Sequence, residues 1–194
     1  FSLSRGLGDV YKRQFMYCIP GSVGGGLQMN SGCFGTEFKD KLISLQCIDT
    51  KGNIKVIPSN KIKFQYRKIE LNENLIFLSA TFKGDLSNKN KIKNLMEELS
   101  TKKNNSQPSK IKTGGSTFKN PIDQTTKKAW ELIKESVPEN INFGDASISK
   151  KHSNFFINKK NASFEEMNSL INFVKKNVKD KTGININLEI KIIE

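Results

Sequence analysis

A polar run from Ser100 to Lys110, STKKNNSQPSK, interrupts a well-patterned chain and limits what it can fold into. Just before it Ile92, Leu95, Met96 and Leu99 recur at i, i+3, i+4 and i+7, the stripe of an amphipathic helix. The run breaks that periodicity with turn formers and Pro108, which predicts a boundary between two lobes. Each lobe then needs its own core, and 194 residues are enough for that without staples. Upstream, LISLQCID and IKVIP flank the turn-like TKGN and predict a hairpin, with LIFLSATF as a further strand. Downstream come GGSTFKNP, a helix around AWELIKESV, the short apolar run NFFIN and a long helix. That last helix opens on the capping box of Ser163 and Glu166, and Gly183 is placed to end it. From Ile184 to Glu194 the pattern alternates, so Ile184, Ile186, Leu188, Ile190 and Ile192 predict one face of a strand with Glu189 on the other. The fold class is α+β.

Composition removes several function classes. No stretch approaches the roughly 18 apolar residues of a membrane span, and a secretory n-region, h-region and cleavage site are absent. Cys18, Cys33 and Cys47 cannot all pair within the chain, which points to a reducing, cytoplasmic setting. With His152 as the single histidine and no Cys-x-x-Cys spacing, no metal site is expected. The net charge of +13 invites a nucleic-acid reading. Yet the lysines are scattered, and neither a dense basic stripe nor an aromatic-studded ribonucleoprotein consensus is present. A solvated surface is the better account, and a salt titration against generic RNA separates the two, since a nucleic-acid complex weakens steeply with salt.

Arginine is informative because only Arg5, Arg13 and Arg67 occur, and Arg67 alone lies in the body of the chain. It is either a planar fork for a carboxylate or one half of an ordinary surface pair. The opening FSLSRGLGDVYKRQ shares neither the lysine bias nor the asparagine content of the rest and resembles a translated sequencing-adapter remnant. Residues 1–14 are therefore set aside as a foreign graft, and the chain reads as a fragment.

Two segments could carry chemistry. IPGSVGGG is neither a dinucleotide fingerprint nor a Walker loop, but Gly21, Gly24, Gly25 and Gly26 let backbone approach a flat or anionic ligand, and a helix starting near Ser22 would face it with N–H groups. A tight loop that only needs glycine sterically is the alternative. GGSTFKNP gathers two glycines, two hydroxyls, a lysine and an amide, and either binds phosphate or turns a corner.

Taken together and in order, IPGSVGGGLQMNSGCFG, FQYR, SQP, GGSTFKNP, AWELI, GDASISKKHSNFFIN and NLEIKII closely resemble the UDP-N-acetylenolpyruvoylglucosamine reductase family, from Phe15 to the end. The short passage between FQYR and GGSTFKNP resembles the subclass without the extra substrate-clamping tyrosine loop. The resemblance implies an FAD-containing, NADPH-dependent enzyme that reduces UDP-N-acetylglucosamine enolpyruvate to UDP-N-acetylmuramate for peptidoglycan, a cytoplasmic monomer with no nucleic-acid or membrane partner. It implies that Ser116 is the general acid, that Arg67 clamps the substrate carboxylate and that Glu189 orients the group or shares in proton delivery. It implies substrate contacts at Tyr66, Lys119 and Asn120, and flavin contacts at Gly21, Ser22, Gly24, Gly25 and Asn30. Gly26, where alanine is commoner, reads as a minor departure in a ligand-facing loop. Residues 15–107 then form the remaining part of the FAD-binding domain and residues 108–194 the substrate-binding domain. The family's first flavin lobe has no counterpart before Phe15, so the 194-residue chain alone is expected to hold FAD weakly. The alternatives are a non-catalytic basic module that binds nucleic acid and an inactive remnant.

Overall fold

The computed structural model describes residues 10–11, 14–71, 74–108 and 111–193. Most of the segment set aside as foreign lies outside these residues. The chain is mixed α/β and divides into two compact units, Phe1–Lys103 and Asn104–Glu194.

Unit 1 begins with β1 (Val10–Tyr11), a 3₁₀ turn at Gln14–Cys18 and the short α1 (Val23–Gln28). There follow β2 (Gly32–Cys33), β3 (Thr36–Glu37), β4 (Leu42–Asp49), β5 (Ile54–Pro58), β6 (Lys63–Gln65), β7 (Lys68–Glu70), β8 (Leu75–Phe82), β9 (Asp85–Leu86) and α2 (Lys89–Ser106). The central sheet is antiparallel in the order β5-β4-β8, and the predicted hairpin pairs Ile48 with Ile54. Its turn is fixed by Asp49, whose Oδ1 accepts from the backbone N–H of Lys51 and Asn53, each at 2.9 Å. These bonds, those from Asn53 first, hold the Asp49 carboxyl well below the usual range, at about 2. The core of this unit is Phe15, Leu27, Phe38, Leu42, Leu45, Ile62 and Ile69.

The polar run does not end the helix as its composition predicts: α2 continues through Ser106. Lysine, asparagine and serine tolerate a helix, Lys102 pairs with Glu98 one turn back at 2.6 Å, and Pro108 follows the point where the helix stops. The predicted stripe Ile92, Leu95, Met96 and Leu99 is the half-buried one.

Unit 2 contains β10 (Lys112–Ser116), α3 (Ala129–Ser136), β11 (Asn142–Phe143), β12 (Ala146–Ser149), β13 (His152–Asn158) and α4 (Phe164–Thr182). Its sheet is antiparallel in the order β10-β13-β12-β11, and α3 and α4 pack on each other and on the sheet. Helix α4 starts and stops where its sequence dictates: Ser163 and Glu166 form the reciprocal capping box, and Gly183 takes the left-handed conformation at φ +73°. Phe118, Leu132, Ile133, Phe156, Leu170, Val174, Val178 and Ile186 are central to the core.

The C-terminal segment is not the ladder strand its alternation predicts. Among the described residues it forms one bridge, between Phe118 and Leu188. Ile186 is buried, and Ile184, Leu188 and Ile190 pack on the core, so the apolar face is real up to Ile190, while Ile192 and Ile193 are exposed. Ile190 lies over Gly114, 3.5 Å from where a Cβ would stand, and the chain there bulges instead of offering a straight edge to pair with.

Two expected results follow from this packing. Gly26 faces the core and not a ligand: a Cβ there would stand 2.6 Å from the Phe38 ring. Gly26→Ala is therefore expected to destabilise by about 1–3 kcal/mol through overpacking, read as a lower urea midpoint at unchanged slope; an unchanged midpoint contradicts it. On the outer side of the β5-β4-β8 sheet, Ile54 and Ile76 both stand opposite Ile48, and Ile54, Val56, Ile76 and Leu78 are exposed. The chain is expected to self-associate through this apolar patch. Light scattering should show oligomers that V56K combined with I76K disperses, and a monodisperse parent chain would refute this.

Candidate active site

In unit 2 the β10–β13 ladder sets Thr113 opposite Ile157 and Ser116 opposite Phe155, so β10 contains one extra residue, a bulge. Gly115 makes it possible by adopting φ +86°. Thr113 Oγ1 steadies the bulge, donating to the Phe156 carbonyl at 2.7 Å and accepting from Gly115 N–H at 3.3 Å. Ser116 emerges half-buried at the end of the ladder, and among the described residues no hydrogen bond engages its hydroxyl.

The residues after Ser116 are held from both sides. The Asn154 carbonyl accepts from Thr117 N–H at 2.8 Å; its side chain accepts from Phe118 N–H at 2.9 Å and donates to the Phe118 carbonyl at 2.8 Å. Opposite, Glu189 N–H donates to the Thr117 carbonyl and Lys119 N–H to the Asn187 carbonyl, both at 2.8 Å. This is how Glu189, 73 residues beyond Ser116 in sequence, is fixed one residue from it in space. Lys119 and Asn120 continue the same segment, and Asn120 Oδ1 accepts from Ala129 N–H at 3.0 Å at the start of α3.

A cavity of about 620 Å³ opens on the same unit, walled by Trp130 and His152 with Lys134, Lys150 and Ser149 around it. His152 packs edge-on against Phe155, with ring centroids 4.7 Å apart, and its Nδ1 accepts from Asn154 N–H at 3.3 Å. Burial lowers the His152 pKa below its ordinary value, so the ring is neutral at pH 7.

In unit 1, Gln65 pairs with Lys68, which leaves Tyr66 and Arg67 as a two-residue hairpin turn. Arg67 adopts φ +56°, rare for a long side chain, and its guanidinium carbon lies 4.9 Å from the centre of the Tyr66 ring. The turn is tied to the glycine-rich segment by Asn30, which is fully enclosed. Its Nδ2 donates to Glu37 at 2.9 Å and to the Gln65 carbonyl at 3.2 Å, and its Oδ1 accepts from Lys39 N–H at 3.0 Å. Any part Asn30 takes in holding a cofactor therefore acts through the loop it braces. Ser22 caps α1 by accepting from Gly25 N–H at 3.1 Å, and around Gly21, at φ +118°, and Gly24 a Cβ would meet nothing within 4 Å. The Cys33 thiol is pushed up by burial and by Cys18 beside it, against the pull of Lys103 and Arg67. No group of His, Cys, Asp and Glu that could hold a metal ion occurs among the described residues.

Residues 107–193 match the family described as UDP-N-acetylenolpyruvoylglucosamine reductase, C-terminal domain. A UDP-N-acetylenolpyruvoylglucosamine reductase of Pelagibacter ubique is 58% identical over all 194 residues. The chain is similar along its whole length to part of the UDP-N-acetylenolpyruvoylglucosamine reductases, and its residues 107–193 match the C-terminal domain of that family. It spans 63% of the length of that relative. A reductase of the same name from Rickettsia bellii is 42% identical over 93% of this chain and 59% of its own. The crystal structure of UDP-N-acetylenolpyruvylglucosamine reductase from Thermus caldophilus superposes with a TM-score of 0.79 at 27% identity, covering 94% of this chain and 64% of that one. These likenesses do not favour a basic nucleic-acid module.

Of the residues singled out from sequence, the fold brings Ser116, Lys119, Asn120 and Glu189 together in unit 2, and Tyr66, Arg67 and Asn30 together in unit 1. Asn154 and the Trp130–His152 cavity were missed. The amide that opens the NFFIN run, next to Phe155 and Phe156, was the available signal for Asn154, since a polar side chain that enters a core needs partners there.

Proposed function

We propose that the chain carries the substrate-reducing apparatus of a flavin-dependent, NADPH-driven reductase, which converts UDP-N-acetylglucosamine enolpyruvate to UDP-N-acetylmuramate in the cytoplasm. The observation that carries the reading is Ser116 at a glycine-made bulge, its hydroxyl engaged by no hydrogen bond among the described residues, with Glu189 pinned across Thr117. The open backbone at Gly21 and Gly24, beside the cap at Ser22, fits a flat group such as the FAD ring system. A flavin held there would supply the hydride that the terminal carbon of the enolpyruvyl ether needs.

The chain's own groups account for the rest. As charge develops next to the substrate carboxylate, the Arg67 fork grips the carboxylate oxygens through two parallel bonds. Ser116 gives its hydroxyl proton to the ether-bearing carbon, which completes the lactyl ether, and Glu189 orients that region or returns the proton to Ser116. Tyr66, Lys119 and Asn120 hold the sugar end. The Trp130–His152 cavity, with Lys134 and Lys150 at its edge, suits the uridine diphosphate, an aromatic face for the base and cations for the phosphates.

The test uses an extended protein in which the amino-terminal part of the Pelagibacter relative replaces residues 1–14. It should bind FAD stoichiometrically and oxidise NADPH only when the enolpyruvyl substrate is present, whereas the 194-residue chain holds FAD weakly. Failure of the extended protein to bind flavin, or NADPH oxidation indifferent to the substrate, would overturn the proposal.

A further inference from the structure

The β10–β13 ladder ends at Ser116, yet pairing with β13 does not stop there. Asn154 extends it by one residue with its side chain, the carboxamide presenting to Phe118 the same donor and acceptor that a neighbouring peptide would. Asn154 is only 4% exposed, so neither Phe118 group would find water if the carboxamide were gone. The Asn154 carbonyl holds Thr117 N–H, and the Thr117 carbonyl in turn holds Glu189 N–H. One buried side chain and its backbone therefore fix the segment between Ser116 and Glu189 from the side opposite the C-terminal segment.

From this geometry we infer that Asn154 is a positioning residue for proton delivery, setting Ser116 and Glu189 in register without touching substrate. The inference rests on the role proposed for Ser116. A buried group that only stabilised the fold would affect every activity of the protein alike. One that positions the acid affects the step the acid serves, and only while the acid is present.

The variants are Asn154→Asp, which keeps the acceptor for Phe118 N–H and loses the donor, and Asn154→Ser, which tests a shorter and uncharged group. In the extended protein both should lower kcat for the enolpyruvyl substrate by about 10²-fold, with KM changed less than twofold and the rate of flavin reduction by NADPH unchanged. In a Ser116→Ala background the same substitutions should cost almost nothing further. Amide hydrogen exchange, which needs no cofactor, should show protection lost at Phe118 and Glu189 but kept in α4. Equal losses of kcat with and without Ser116 would overturn the inference and make Asn154 a purely structural residue. So would unchanged protection at Phe118, or a variant that fails to fold in both substitutions. If Ser116→Ala itself leaves kcat unchanged, the acid assignment fails instead, while the exchange data still report whether Asn154 holds the segment.

Discussion

Ser116→Ala in the extended protein is expected to slow reoxidation of the reduced flavin by the enolpyruvyl substrate by about 10²- to 10⁴-fold, the usual worth of a positioned acid. Flavin reduction by NADPH should be unaffected. The backbone gives the substitution its meaning. The bulge depends on Gly115 at φ +86° and on Thr113 Oγ1, and the following residues are held by Asn154 and by Glu189, so among the described residues no hydrogen bond of the segment runs through the Ser116 hydroxyl. Alanine should therefore leave the local conformation and the urea midpoint in place. Ser116→Cys should recover part of the rate, because the thiol is a smaller change in shape and can still donate a proton. Stopped-flow spectroscopy on each half-reaction makes the distinction, and an alanine variant that reoxidises at the parent rate moves the acid role to Glu189 or to water.

Arg67 is expected to show opposite effects on activity and on stability. Its φ of +56° puts a long side chain where the backbone favours glycine, at a cost of roughly 1–2 kcal/mol. Such strain persists when the side chain is needed at that place. Arg67→Gly removes the guanidinium and the strain together, and the entropy of glycine offsets part of the relief. Arg67→Ala removes the guanidinium and keeps the strain. Both should lose about 10²- to 10³-fold in kcat, with Arg67→Lys in between because one cation cannot replace a two-bond fork. The urea midpoint should not fall for the glycine variant, and the alanine variant should be the less stable of the two. Equal activity in Arg67→Lys and the parent would show that charge alone suffices, and a marked loss of stability in Arg67→Gly would show that the turn needs the arginine for packing.

Local signals in the sequence carried far in unit 2. The α4 capping box and Gly183 act within a few residues of themselves, so their effect is the same in the sequence and in the fold. The alternation from Ile184 was legible as a face, because burying Ile186 and packing Ile190 on the core need only a period of two. It was not legible as a non-strand, since what prevents a ladder is the bulge at Gly114 and Gly115, about seventy residues earlier in the chain. The scarcity of arginine drew attention to Arg67, but the left-handed turn that makes the residue unusual depends on the pairing of Gln65 with Lys68. Gly26 shows the opposite error: a glycine in a glycine-rich loop reads as ligand-facing, and only the tertiary position of Phe38 reveals that it packs inward. Asn154 was hidden for a related reason, because its partners at Phe118 are 36 residues away and nothing local to NFFIN requires them.

The most direct measurement is mass spectrometry of the sugar nucleotide after the extended protein, loaded with FAD, is incubated with NADPH and UDP-N-acetylglucosamine enolpyruvate. One product heavier by two hydrogens, formed in equal amount to the NADPH oxidised and lost in both Ser116→Ala and Arg67→Ala, is the predicted result. NADPH consumption that leaves the mass of the sugar nucleotide unchanged would contradict the account.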